Sequence, residues 1–117
     1  MGTLTHPSCN DVELATVMAA LSDPVRVSIV RSLAAQGECA CGTLDLGVSP
    51  ATRSHHFRVL REAGITHTRA EGTHRHVSLR RDAVDAQFPG LLSAVLAAAE
   101  QEAGDVRGAA VAIAAPA

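Results

Sequence analysis

Between Thr52 and Arg58 the chain sets hydroxyl, imidazole and guanidinium groups side by side: Thr52, Ser54, His55 and Arg58, with no carboxylate until Glu62. Groups of these types donate hydrogen bonds to phosphate oxygens and to the acceptor edges of bases. A second cluster of the same character follows at Arg69, Thr73, His74 and Arg75. A third set consists of thiols, Cys39 and Cys41 spaced as Cys-x-Cys, with Cys9 further upstream. Thiolates suit soft metal ions or dithiol redox exchange, whereas neutral cysteines simply pack as small apolar residues. No Ser, His and acid set and no Gly-rich phosphate loop is present, and the His and Cys residues lack the spacing of a closed hydrolase metal site, so the chain is not read as an enzyme.

The first cluster needs a scaffold, and Ser49 to Gly64 supplies one. Ser49 is a side-chain N-cap, Pro50 fits the first helical position, and Gly64 can take the left-handed conformation past the last turn. Arg53, Phe57, Leu60 and Gly64 recur at i, i+4, i+7 and i+11, leaving Thr52, Ser54, His55 and Arg58 around the cylinder. One face packs and the other is polar and basic. Such a face either enters a major groove wide enough for a helix or is the solvated side of an ordinary core helix. Arg53 falls on the packing side, where a small or apolar residue is expected, and would have to snorkel outward.

The flanking sequence favours the groove. Asp11 to about Ser22 is an amphipathic helix marked by Leu14, Val17, Met18 and Leu21. Asp23 caps a second helix that has Pro24 at its first position, Ile29, Val30 and Leu33 as its stripe, and Gly37 as its stop. Glu38 to Leu46 is a third, short helical candidate, weakened by Gly42. A short helix, a turn at Gly47-Val48 and a longer capped helix form a helix-turn-helix pattern. Ile65 to Glu71 and His74 to Leu79 then read as strands joined at Gly72-Thr73, with Ile65, His67 and Arg69 expected on one side beside Val77 and Leu79 of the partner strand. A basic hairpin after a basic helix has the character of a DNA-binding wing, and a plain hairpin closing the core is its alternative. Arg81 to Phe88 is a short helix ended by Pro89. Leu91, Leu92, Val95, Leu96 and Ala99 form a last apolar stripe up to Glu102, suited either to a dimer seam with the first helix or to packing within the chain.

Composition agrees with one small domain. The 117 residues are 47% hydrophobic, but with two Phe, no Tyr and no Trp the core must be small and aliphatic, which favours dimerisation as a source of further buried area. The net charge of −2 hides a local balance of +5 from Ser49 to Arg81, where seven arginines face two glutamates. A basic middle between acidic flanks is the electrostatic footprint of a phosphate-binding surface. No apolar run follows a basic start and none approaches a membrane span, so the chain is expected in the cytoplasm with reduced thiols. Residues 1–10 are read as a flexible arm, 11–102 as the DNA-binding and dimerisation domain, and 103–117 as a disordered tail.

In this order the chain resembles the ArsR/SmtB family of winged helix-turn-helix repressors. The resemblance covers about residues 11 to 100 and rests on Ala20-Leu21-Ser22-Asp23-Pro24-Val25-Arg26, on Ser54-His55-His56-Phe57-Arg58-Val59-Leu60-Arg61-Glu62-Ala63-Gly64, and on the hairpin Glu71-Gly72-Thr73. It implies a mostly α fold with a small β-hairpin, a homodimer through the first and last helices, an operator of double-stranded DNA with two half-sites, and release by an effector. It casts Ser54 and His55 as base contacts, Thr52 and Arg58 as their neighbours, and Arg69, Thr73, His74 and Arg75 as the wing, with His56 turned inward.

For the effector the family offers two metal sites. Cys39 and Cys41 correspond to its thiolate pair, with Cys9 as a third ligand, but lie one residue nearer the recognition helix, a rotation of about 100°. Its Asp and His site on the last helix is absent, because residues 81–102 contain no His. The effector thus stays open among a metal ion, a small molecule and a partner protein. Two other classes remain beside the regulator: a dimeric interaction module that no longer binds DNA, and a thiol-based metal-binding protein.

Overall fold

The computed structural model describes residues 12–113, with side chains through Gly104. Its elements run α1 (Leu14–Ala20), α2 (Pro24–Gln36), β1 (Cys39–Ala40), a 3₁₀ turn (Cys41–Thr43), α3 (Pro50–Glu62), β2 (Thr66–Glu71), β3 (His74–Leu79), α4 (Arg81–Gln87) and α5 (Leu91–Ile113). The arm, Cys9 included, lies outside the described residues, as do 114–117.

The two Pro-led helices begin as their caps dictate. Asp23 Oδ1 accepts hydrogen bonds from the amides of Val25 (2.8 Å) and Arg26 (3.3 Å), and Ser49 Oγ accepts from the Thr52 amide at 3.2 Å. Each cap satisfies donors that the first helical turn leaves without partners. At its far end α3 closes in a Schellman arrangement: the Gly64 amide reaches the Arg61 carbonyl and the Ile65 amide the Leu60 carbonyl, both at 3.0 Å. Gly64 stands at φ 76°, where a side chain would be strained. The turn sends Ile65 straight down into the core beside Leu60, and both are fully buried.

That core is aliphatic and single. Val17, Ile29, Val30, Leu33, Phe57, Leu60, Ile65, Val77, Val84 and Leu92 form one buried cluster contributed by α1 to α5 and the sheet. Leu14 and Met18 of α1 are instead 47% and 57% exposed, so the stripe expected on this helix splits into an inward Val17 and an outward apolar pair.

The helix expected over Glu38 to Leu46 does not form. Cys39 and Ala40 instead pair antiparallel with Val77 and His76, giving a three-stranded sheet of order β1-β3-β2, and Cys41–Thr43 is a single 3₁₀ turn in which the Thr43 hydroxyl donates to the Ala40 carbonyl at 2.7 Å. A short segment interrupted by Gly42 cannot repay helix nucleation, whereas the open edge of β3 offers ready backbone partners.

The facing within the hairpin is also corrected. Thr66 pairs with Leu79, and Thr68 with Val77, so the inner face carries Thr66, Thr68, Val77 and Leu79, while His67 and Arg69 point to the outer side. Thr66 and Thr68 are buried as fully as valines would be; the threonine methyl fits a pleated, half-buried surface. Finally, α5 continues past Glu102 to Ile113, where a disordered tail was expected from 103 onward. The segment beyond Glu102 is rich in alanine, the best helix former, and contains no proline before Pro116.

A guanidinium joins the first three helices. Arg26 Nε donates to the Ala20 carbonyl at 2.7 Å, and Nη1 lies 3.1 Å from His56 Nδ1. Guanidinium nitrogens only donate, so Nδ1 accepts and the neutral imidazole of His56 carries its proton on Nε2. His56 is buried, as expected. Arg26 therefore ties the end of α1 and the start of α2 to the middle of α3.

Two outcomes test these couplings. Asp23→Ala should lower stability by about 1 kcal/mol at neutral pH, read from the urea midpoint. Desolvation raises the Asp23 pKa, but the Val25 and Arg26 amides and the positive charge of Arg26 together bring it below the ordinary 3.8. A carboxylate lowered on folding stabilises above its unfolded value, so the difference between wild type and variant should stay full above pH 3.8 and shrink as pH falls through the lower folded value. Arg26→Ala, which leaves the Ala20 carbonyl and the His56 Nδ1 without their donor, should cost roughly 1–3 kcal/mol by the same measurement.

Candidate nucleic-acid interface

Thr52, Ser54, His55 and Arg58 are all exposed on one side of α3. The helix buries His56, Phe57 and Leu60 on the opposite side, so its capped start fixes which groups face outward. The Thr52 hydroxyl is 2.9 Å from Ser49 Oγ, inside the cap, whereas Ser54 and His55 stand clear of it. Arg58 Nη2 lies 3.5 Å from His55 Nδ1, at the limit of a hydrogen bond.

The four wing residues separate. Arg75 has the same facing as Val77, toward α3, and Arg69 and His74 lie on the outer face with His76. Thr73 and His74 sit exposed at the tip. The Arg69 guanidinium is held by two carboxylates, Glu38 Oε1 at 2.8 Å and Glu71 Oε2 at 3.1 Å, and Glu71 Oε1 also lies 3.4 Å from His76 Nε2. The hydrogen bond with Arg69 holds the Glu38 carboxyl below the ordinary range, and the same bond raises the guanidinium. Arg69 thus clamps the approach to β1 onto the hairpin, and its charge is already compensated. Glu38 was invisible in the sequence as a partner, because nothing local pairs residues 31 positions apart.

Arg53 is half-buried and emerges, together with Arg61, on the side of α3 that faces the sheet. There a cleft of about 590 Å³ opens between α3 and β3, and Arg53, Arg58, Arg61 and Arg75 all line it. Among the described residues none of these four arginines forms an ion pair with a carboxylate. Sequence reasoning placed Arg53 as an intruder on the packing face and gave Arg61 no role. Their spacing with Phe57 at i, i+4 and i+8 was the available signal.

The thiols are quieter. Cys39 is buried, its Sγ 3.4 Å from both Gln36 Oε1 and the Gly37 carbonyl. Cys41 is half-buried at the cleft, and burial pushes its thiol pKa up despite the nearby Arg75 and Arg53. Among the described residues no three His, Cys, Asp or Glu side chains are grouped so as to hold a metal ion.

This geometry has relatives. Residues 21–69 match a helix-turn-helix domain family. The chain is 38% identical over 92 residues to an uncharacterized HTH-type transcriptional regulator, YceK, of Bacillus subtilis, covering 76% of this chain and 92% of that protein. It is 34% identical over 74 residues to the arsenical resistance operon repressor of Staphylococcus xylosus, covering 62% of this chain and 71% of that one. The crystal structure of a "possible transcriptional regulatory protein" from Mycobacterium bovis superposes with a TM-score of 0.59 at 27% identity, over 74% of this chain and 90% of the other. With α3 capped, basic and backed by a hairpin, and with these relatives along most of its length, the chain belongs to the ArsR/SmtB family of DNA-binding helix-turn-helix transcriptional regulators.

Proposed function

We propose that the protein represses transcription as a homodimer without catalytic activity in the cytoplasm, laying one α3 into the major groove of each of two operator half-sites and yielding to an effector. The observation that carries this is the exposed face of α3, where Ser54, His55 and Arg58 stand in solvent and Arg58 forms no ion pair with a carboxylate among the described residues. Ser54 and His55 read base edges. Arg58 and Arg75 hold phosphates on either side of the groove, with Thr52 as a neighbour and Thr73 and His74 at the wing tip. Arg69 is left out, since Glu38 and Glu71 already occupy it.

The dimer reading is supported by Leu14 and Met18, the large apolar side chains that α1 leaves in solvent. A second copy laid along α1 and α5 would cover them and set the two recognition helices one DNA turn apart, about 34–36 Å. Repression follows the named role of the Staphylococcus xylosus relative. The described helices include none long and apolar enough to cross a membrane, in keeping with a protein that meets DNA.

Fluorescence anisotropy against the DNA upstream of the protein's own gene, at two salt concentrations, tests the interface. Tight binding that weakens steeply with salt is expected. His55→Ala should relax base preference at one position by about 1–3 kcal/mol. Arg75→Ala should weaken binding to every sequence alike and lower the salt slope by about one. If both variants gave the same uniform loss, the division between base and phosphate contacts would be wrong, and absence of any DNA retention at low salt would favour the interaction module. Sedimentation should show a dimer that Leu14→Glu with Met18→Glu converts to monomer.

A further inference from the structure

Seven arginines of the described residues divide by whether a carboxylate holds them. Arg31 is paired with Glu100 at 2.7 Å, Arg69 with Glu38 and Glu71, and Arg81 with Asp85 at 3.9 Å. Arg53, Arg58, Arg61 and Arg75 have no such partner among the described residues, and all four converge on one cleft between α3 and β3. No Asp or Glu lines that cleft. Burial pushes the pKa of the Cys41 thiol, which also lines the cleft, upward.

Four like charges gathered on a concave surface repel one another, and the low-dielectric wall behind them focuses the field outward. The wall exists here: Phe57 and Thr68 are buried, and Arg53, Arg61 and Cys41 are half-buried, whereas Arg58 and Arg75 stand exposed at the mouth. Arg61 Nε is shut off from solvent and has no hydrogen-bond partner. A buried donor left so is costly, and an acceptor brought into the cleft would relieve it. The volume, about 590 Å³, is in the range of small-molecule sites.

We propose that this cleft binds a free, multivalent small oxyanion, a diphosphate or polycarboxylate, and that its occupation displaces the operator. The inner arginines, Arg53 and Arg61, supply charge-assisted donors from the wall, and the mouth arginines close over the anion. Displacement follows because Arg58 and Arg75 are also the phosphate contacts of the operator complex, on which this part of the inference rests. An anion held between Arg58 and Arg75 cancels the charge that draws the DNA backbone. The phosphodiester of the operator is the other source of the same chemistry, and it would reach the mouth from outside.

Inorganic pyrophosphate titrated into the DNA-free protein by calorimetry, at ionic strength held constant with sodium chloride, tests the site. Saturable binding is expected, weakened about tenfold by Arg53→Gln and again by Arg61→Gln. Arg53→Gln guards against a folding defect at the more enclosed Arg61, and the thermal midpoint of each variant is read alongside. Pyrophosphate should also raise the apparent Kd for the operator in wild type, and Arg53→Gln should blunt that rise. No binding beyond what chloride competes away would overturn the proposal, as would equal affinity in the variants. Should the variants instead lower the salt slope of operator binding by about one without any pyrophosphate binding, the cleft belongs to the DNA backbone and the free ligand is refuted. Pyrophosphate binding that depends on Arg53 in a protein that ignores DNA would uphold the cleft and remove the operator reading instead.

Discussion

Much of the fold hangs on one guanidinium. Arg26 Nε takes the Ala20 carbonyl that the end of α1 would otherwise leave open, while Nη1 meets His56 on α3. The residue sits in the first turn of α2, where Asp23 receives its amide. Three helices are thereby registered by groups within a few ångströms of one another. His56 is the reverse side of the interface: on the helix that exposes Ser54 and His55, the next residue is gripped from behind. Base reading as proposed needs side chains placed to within fractions of an ångström, and the Arg26 contacts help to position α3 from the side away from that face.

The electrostatics follow a similar division of labour. A net charge of −2 would oppose DNA if it were spread evenly. Several acids instead hold arginines one by one, Glu100 taking Arg31 across α2 and α5, Asp85 taking Arg81 within α4, and Glu38 with Glu71 taking Arg69. Arg53, Arg58, Arg61 and Arg75, on α3 and the inner side of the hairpin, form no carboxylate pair among the described residues. Exposed pairs of this kind add little to stability. Their effect is to shape the field, leaving a basic region on a chain that is acidic as a whole.

How much of this was legible follows from the range of the forces involved. The caps at Asp23 and Ser49, the prolines after them and the glycine stop at Gly64 act within four residues, and α2 and α3 begin and end where they indicate. The exposed set on α3 followed from helical periodicity, and the inward His56 from the family resemblance. By contrast, β1 exists only because β3 presents an open edge, and nothing in Glu38 to Leu46 encodes that edge. The hairpin's facing was misread because Ile65 is apolar and opens the segment. The Schellman turn spends Ile65 on the core before the strand begins, and shifts the alternation by one. The Arg69 clamp and the convergence of Arg53 and Arg61 with Arg75 are tertiary, and became visible only with the sheet in place.

The two residues of β1 have a last consequence. Cys39 is buried because its strand is stitched to Val77, and the wing is fixed to the segment preceding the recognition helix through the same backbone pairing. Any excursion that lets the hairpin swing free must peel β1 away and uncover that thiol. The rate at which Cys39 is alkylated is thus expected to track the opening of the β1–β3 pairing, a timer set in the seam between the wing and the segment ahead of α3.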